Sequence, residues 1–355
     1  MVERVDILVV GGGIAGLSTA LHLARRGGPS VLVMDREDTP GFYASGHNAA
    51  IARQLTGRAE HTALTVEGRA GLAAAGLLEA TGGRLLAVEP SALDPLEAEA
   101  ETFGVEARRG EGSGVAGLKA ASHLLIPSDG IIDVHGLLGR CAREARAAGA
   151  VVRFGRGVVG VRPTATGFRV ETVSGPLEAG TLVNAAGAWA GPLGRMAGGL
   201  DIAFSPLRRH LAWSDGPWPF GAKEWAWWVD RPLYVRPESG GVLMCPCDEV
   251  AVAPPESGRQ PEADPDVIAG MQGDVHDLAP GLEDHGIARA WSGLRTFAPD
   301  RRFVIGWDPV NPRLFWVAGL GGHGMTSGLA VGRLAASLLG HDPLPRHPLS
   351  PARFG

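Results

Sequence analysis

The chain has 355 residues, 45% of them apolar and 20% charged, the balance of a soluble globular protein. That length has room for about two domains. A formal net charge of −5, with Lys and Arg scattered along the chain, excludes the basic footprint of a nucleic-acid-binding protein.

Asp6–Val10 is a continuous apolar run, the pattern of a parallel strand buried on both faces. It is too short to span a bilayer, and no basic segment with a long apolar stretch precedes it. No signal peptide or transmembrane segment is therefore expected, and the expected location is the cytoplasm or the periphery of the inner membrane. Gly11-Gly12-Gly13-Ile14-Ala15-Gly16 follows. Leu17, Ala20, Leu21 and Ala24 then fall on one face of a helix that stops at Gly27-Gly28. Val31–Met34 is the next apolar strand, with Asp35 at its end. A helix is expected over 57–80, mixed structure broken by Pro90 and Pro95 over 85–125, and an amphipathic helix over Val134–Ala148. Short strands are expected at Ala150–Phe154, Val158–Arg162, Phe168–Thr172 and Thr181–Ala186. Trp213, Trp218, Trp225, Trp227, Trp228 and Tyr234 crowd the next stretch, where alternation predicts antiparallel sheet. This tryptophan-rich part would serve as a lid, a dimer face or a contact for a membrane acceptor. Cys245 and Cys247 alternate within it and read as core. With Cys141 they make an odd count that excludes a disulfide framework. Asp248 beside them does not complete a metal site, so no metal is expected. Pro254–Asp266 reads as an exposed loop, Leu314–Val317 as a final buried strand and 326–339 as a closing helix.

The fold class is thus α/β at both ends and α+β overall: a Rossmann-like dinucleotide domain with an inserted antiparallel-sheet substrate domain. The expected segments are 1–80, 130–204 and 288–355 for the first domain, and 81–129 and 205–287 for the second, which caps it.

The strongest local signal is Gly11-x-Gly13-x-x-Gly16, set between a strand and a helix and followed by an acid at the end of the next strand. Gly11 permits the tight turn, Gly13 lets a pyrophosphate approach the backbone, and Gly16 lets helix and strand pack closely. The helix N-terminus supplies free N–H groups and a positive dipole end. Asp35 would accept from ribose hydroxyls, and its charge disfavours a 2′-phosphate. The fingerprint alone leaves NAD and FAD open. Gly319–Gly324 also spells G-x-G-x-x-G, but Asp342, the acid near the required spacing, sits in a Pro-rich tail with no strand. This is not a second dinucleotide unit. It is a helix N-terminus facing a flavin ring, where its dipole would stabilise negative charge, or a turn needed only for packing.

Four blocks carry a resemblance: Pro40–Ala50 (PGFYASGHNAA), Leu182–Ala190 (LVNAAGAWA), Trp291–Phe297 (WSGLRTF) and Phe315–Gly328 (FWVAGLGGHGMTSG). In these the chain resembles the D-amino acid oxidase-type FAD-dependent oxidoreductases, within them the bacterial D-arginine dehydrogenases, and also the glycine and sarcosine oxidases. The resemblance spans the chain apart from 57–125. It implies noncovalent FAD and oxidation of a C–N bond beside a carboxylate, with hydride passing from substrate Cα to flavin N5. For the cofactor it implies Gly11, Gly13, Ile14, Ala15, Gly16, Asp35 and Arg36 at the ADP half, and Ser45, Gly46, His47, Asn48, Ala49 and Ala50 along the pyrophosphate and flavin. Val158 or Val159 would touch the adenine region, and Ala186, Gly187, Trp189 and Gly293 would flank the cofactor. Gly321, Gly322, His323, Gly324, Met325 and Thr326 would cap the flavin pyrimidine end.

For the substrate the resemblance implies Arg295 as the carboxylate fork, which also borders the flavin. Tyr234 would stand nearby, with one of Arg208 and Arg209; their other readings are a core tyrosine and solvated strand residues. The departures from the closest pattern fall at His47 and Asn48, usually Arg and Ser, and at Ile51 and Thr56, usually His and a carboxylate-holding Tyr. Arg84 stands near the position of an acid that reads a cationic side chain, so an acidic or small substrate is expected in place of D-arginine. His323 replaces a tyrosine and would take a proton from the substrate amine, with a pKa suited to that role. Lys119 and Lys223 are the only lysines, and neither fits an oxygen-activating position. The electron acceptor stays open among a quinone, a carrier protein and O2. A 2-hydroxy acid dehydrogenase, a flavin-binding assembly or electron-transfer subunit and a plain NAD-dependent enzyme are the competing readings.

Overall fold

The computed structural model describes residues 2–340 and 347–355, so Asp342 lies outside the described residues. Five parallel strands form the centre of one sheet, in the order Val151–Arg153, Val31–Met34, Glu3–Val10, Gly175–Asn184 and Leu314–Ala318. Val304–Trp307 closes one edge antiparallel. The strands Val158–Thr164 and Gly167–Thr172 form an antiparallel meander on the first half of Gly175–Asn184. The helices in chain order are α1 (Ile14–Arg26), α2 (Ala59–Ala74), α3 (Asp94–Phe103), α4 (Val134–Ala147), α5 (Ala190–Met196), α6 (Pro265–Leu278) and α7 (Gly324–Leu339). Alternation splits the buried strand residues between two cores. Ile7, Val9, Val31 and Val33 pack under α1, α4 and α7, while Leu8, Leu32 and Leu182 pack under the meander and α5. Among the described residues no helix is long and apolar enough to cross a membrane.

A second sheet has the order Val250–Ala251, Ser205–Ser214, Gly241–Cys245, Tyr234–Glu238, Trp225–Trp228, Gly83–Ala87, Ser122–Ile126 and Arg108–Glu111, with Arg289–Phe297 along the other edge of Ser205–Ser214. Its pairings are antiparallel, as expected, except that Trp225–Trp228 runs parallel to Gly83–Ala87.

Three prolines act differently from the expectation. Pro90 and Pro95 open a 3-10 turn and α3, and Pro265 opens α6 behind the N-cap Asp264. A residue without an N–H loses nothing in the first turn of a helix. The expected helix over 57–80 ends earlier, because Gly76 takes φ +67 and reverses the chain into Leu78–Glu79.

Helices α1, α2 and α7 touch through glycines. A Cβ on Gly328 would lie 2.3 Å from the Ile14 side chain, and one on Gly332 2.1 Å from Ser18 Oγ. A Cβ on Gly68 would meet the Thr326 carbonyl oxygen at 2.1 Å, whereas on Gly71 it would meet only the Leu329 side chain at 3.3 Å. Gly68→Ala should therefore lose about 1–3 kcal/mol by overpacking, against a helix-propensity gain of about 1 kcal/mol. Gly71→Ala, with the same propensity gain and a movable neighbour, should be neutral or stabilising. Equal urea midpoints for the two variants would refute this account of the helix contact.

Candidate active site

The C-terminal ends of the parallel strands open into one cavity of ≈ 590 Å³, bordered by Val10, Met34, Ala185 and Val317. That crevice is where ligands sit on such sheets. The first turn of α1 faces it through Gly13, Ile14 and Ala15. The N-cap of α1 is Gly13, which has no side chain to cap it, and the first turn holds no acid, so its positive end favours an anion. Ser45 Oγ takes the Ile14 N–H at 3.0 Å, and a Cβ on Gly13 would press on that oxygen at 3.0 Å. Gly11 has φ +121, the left-handed region that glycine tolerates. Asp35 accepts N–H bonds from Gly12 and Glu37 and borders the cavity. Burial raises its pKa, and the two N–H bonds pull against that rise. Arg36 lies over the Trp189 ring, 4.0 Å from its centroid.

Ser45, His47, Asn48, Ala49, Ala50, Val158, Ala186, Gly187, Trp189 and Gly293 all border the cavity. Asn48 braces its own turn, donating to Ser45 O and accepting from the Ala50 N–H, both at 2.8 Å. His47 Nδ1 is buried without a partner, and burial lowers the pKa of the ring. Three expected cofactor residues stand elsewhere. Val159 points to solvent at 63% exposure, as the unpaired residue where the register shifts between Val158 and Gly160. Gly16 has the packing role expected of it rather than a lining one: a Cβ there would lie 1.9 Å from Gly11 O of the turn and 3.2 Å from Val9 Cγ1 of the strand. Gly46 tightens a turn, where a Cβ would meet Gly41 O at 2.5 Å.

The opposite wall is the second sheet and the start of α7. Gly321, Gly322, His323, Gly324, Met325 and Thr326 border the cavity. The α7 N-terminus also has no side-chain cap and no acid in its first turn. Sheet register decides which polar residues enter. Leu85, Trp227, Tyr234 and Cys245 stand directly opposite one another across adjacent strands, hence on one face. Arg209 lies opposite Gly293, and Leu207 opposite Arg295, so the two arginines are diagonal neighbours on that face.

Arg208 and Arg84 take the other face, and both expectations are corrected. Arg208 pairs with Asp264 at 3.0 Å and Arg84 with Glu224 at 3.2 Å. Neither borders the cavity. Thr56 does, but its hydroxyl is bound to Thr62 Oγ1 at 2.9 Å and to the Arg58 carbonyl at 3.1 Å.

Glu249, unmarked by any sequence motif, is the one acid among the arginines of this end. Its carboxylate meets Arg295 at 2.8 Å and Arg301 at 2.7 Å, with Arg209 at 3.6 Å. Burial works against ionisation, but the bond from Arg301 and the Arg295 charge outweigh it and hold the pKa below the usual carboxylate value. Arg295 is not saturated: its Nε is buried without a partner. Tyr234 is buried, and burial keeps its phenol protonated well above the usual range. Burial pushes the Cys245 thiol up, but the Cys247 hydrogen bond and the Arg209 charge bring it down to about 6. His323 departs from its expected pKa. Burial first, then the charge of Arg53, leave it well below the usual histidine value, with His61, Arg295 and Arg209 adding to the effect. It is a neutral imidazole and a weak base. Arg53, Trp227 and His61 also border the cavity.

The model of the DAO family, FAD dependent oxidoreductase, matches residues 6–338. The chain belongs to this family. It is 27% identical to glycine oxidase of Bacillus licheniformis over 97% of this chain and 95% of the relative. It is 26% identical to the mitochondrial dimethylglycine dehydrogenase of Mus musculus over 99% of this chain and 44% of that one, so it spans less than half of the larger enzyme. Its fold matches L-proline dehydrogenase from P. horikoshii with a TM-score of 0.86 at 23% identity, covering 100% of this chain and 98% of that one.

FAD is thus the group to be tested against the cavity, and the residues fit it. Two uncapped helix N-termini and an acid at the ribose position face one elongated space. α1 with Ser45 would hold the pyrophosphate, Asp35 the ribose, and 321–326 the flavin ring. Losing a charged hydrogen-bond acceptor of about 1.5–3 kcal/mol, Asp35→Ala should bind FAD roughly ten- to hundredfold more weakly. Flavin fluorescence during titration of the apoprotein reads this directly. An unchanged affinity would remove Asp35 from the site, and Arg84→Gln, on the far face, should match wild type.

Proposed function

We propose that the chain oxidises the Cα–N bond of an amino acid, either a D-amino acid or an N-substituted glycine. The bound flavin would accept the hydride, and the imino acid would hydrolyse to a keto acid. The observation that carries this reading is Arg295, with an unpaired buried Nε, beside Arg209 and Tyr234 in the cavity of an FAD-dependent oxidoreductase. A guanidinium fork holds a carboxylate in a fixed plane and so sets where Cα stands. Tyr234, kept protonated, donates a hydrogen bond, and Trp227 and Leu211 close the wall against water. Glu249 must share Arg295 with the incoming carboxylate or yield it. The names of the relatives, glycine oxidase and dimethylglycine dehydrogenase, support an amine donor over a hydroxy acid.

Three further readings belong to this proposal. No cysteine borders the cavity, which supports noncovalent FAD. Neither Lys119 nor Lys223 borders it, which supports a quinone or a carrier protein as acceptor in place of O2. The two sheets support a division into a cofactor unit and a cap.

The test is anaerobic flavin reduction by a panel of D-amino acids, glycine, sarcosine and 2-hydroxy acids. An amino acid should bleach the flavin, and air should restore the colour slowly. Arg295→Gln should lower the second-order reduction rate by about a hundredfold or more, as loss of a buried charged partner costs several kcal/mol, with FAD retained. Bleaching by 2-hydroxy acids alone would replace C–N with C–O oxidation. An unaffected Arg295→Gln rate would move the carboxylate elsewhere.

A further inference from the structure

Arg53 has no part in the reading above, yet it is the enclosed cation of the cavity that lacks a counter-ion. It follows the short strand Ile51–Ala52. Its Nε donates to Leu55 O at 2.8 Å, and its guanidinium lies over Trp227, 4.7 Å from the ring centroid. Among the described residues no acceptor takes either terminal nitrogen, and both belong to a side chain that borders the cavity. Its neighbours in the pocket differ. Arg295, Arg209 and Arg301 converge on Glu249, and Arg36 pairs with Glu37. Asp129 and Glu99, the acids that act most on Arg53, form no ion pair with it, although Asp129 Oδ2 is buried without a partner. Burial pushes the Asp129 carboxyl up to about 7, and its Oδ1 takes the Gln54 side-chain amide at 2.8 Å. Glu99 takes the N–H groups of Thr56 and Gly57 at 3.0 and 2.9 Å.

An enclosed guanidinium without a partner is costly, and the cost is relieved when a ligand completes the pair. We propose that Arg53 binds a second anionic group of the substrate, so that the substrate is an amino acid with two carboxylates. This rests on the reading that Arg295 takes the α-carboxylate. The two cations are not adjacent. Arg53 sits over Trp227, Trp227 leans on Tyr234 with centroids 4.6 Å apart, and Arg209 and Arg295 lie beyond Tyr234. Two aromatic rings therefore separate the charges. A glutamate-like spacing of the carboxylates fits this, and a geminal diacid does not. The aromatic strip would cover the methylenes between them.

The Arg53 N–H also faces Thr326 Oγ1 at 3.4 Å, so this residue stands beside the turn that caps the flavin. The experiment must therefore separate a substrate role from a flavin role. The FAD-loaded enzyme is titrated with glutarate and with butyrate, neither of which it can oxidise at a C–N bond, and the flavin absorbance change gives each affinity. Glutarate should bind about tenfold or more tightly than butyrate, the size of one charge-assisted hydrogen-bonded pair. Arg53→Gln should bring glutarate to within about threefold of butyrate and leave butyrate unchanged, while Arg53→Lys keeps part of the preference. Arg295→Gln should weaken both ligands. Equal binding of the two acids by wild type would overturn the proposal, and that comparison needs no variant to fold. So would an Arg53→Gln change that weakens FAD or shifts the flavin potential while the ratio stays, which would assign Arg53 to the flavin. These measurements involve no turnover. If no amino acid reduces the flavin, the C–N reading fails while the glutarate preference still decides the role of Arg53.

Discussion

Close contact between α1 and α7 is the constraint on which the site depends. Gly328 and Gly332 leave α7 without side chains where Ile14 and Ser18 of α1 approach. Helices this close can both end at the same edge of the parallel sheet. Two positive dipole ends then face one cavity from adjacent positions. Gly68 seats α2 on the Thr326 carbonyl from another side, so the first turn of α7 is held between two helices. A cofactor with an anionic linker at one end and a ring that gains negative charge at the other matches that pair of termini.

The second sheet reaches the same cavity by several of its strands. Arg289–Phe297 carries Arg295 and pairs along Ser205–Ser214, which carries Arg209. At Gly293 a Cβ would lie 2.4 Å from His47 O, so the cofactor loop and the second sheet touch backbone to backbone there. Arg295 is thereby placed beside the flavin loop by the sheet that also bears Tyr234 and Trp227. The substrate end is built on strands, whose fixed register limits how far these side chains can move.

What was legible in the sequence was whatever the backbone itself requires. The strand, glycine turn, helix and terminal acid of the fingerprint, the closing strand and the closing helix are all set by local geometry, and they stand where expected. Parity was not legible. Arg208 against Arg209 and Val158 against Val159 differ by one residue; pairing with a distant strand decides the first, and a register shift between Val158 and Gly160 the second. Arg84 failed for the same reason: it pairs opposite Ala226, one step from the row that faces the cavity. Glu249 was invisible because its partners come from three separate strands and loops. Arg53 lay between Ile51 and Thr56, two positions read as departures, and nothing local marks a guanidinium that the distant Trp227 ring will cover. The prolines at 90, 95 and 265 were misread because a helix start and a helix break look alike without the flanking caps.

The charges of the pocket also bear on proton transfer. His323 faces Arg53, Arg295 and Arg209, and their field adds to burial in keeping it neutral. A neutral imidazole under such a field accepts protons poorly. Each carboxylate that enters weakens the same field, and a nearby negative charge raises the pKa of a histidine. An anionic substrate would therefore improve the base that stands beside it, and a second carboxylate at Arg53 would act on the largest of the charge effects that His323 experiences. Tyr234 moves the other way. Its phenol is held protonated by burial and by Cys245, with Arg209 as the opposing charge, so an anion that screens Arg209 only strengthens its role as a donor. On the proposed reading, the same arrangement of cations would separate the two roles, one group held ready to give a hydrogen bond and the other made more basic when the substrate's carboxylates enter.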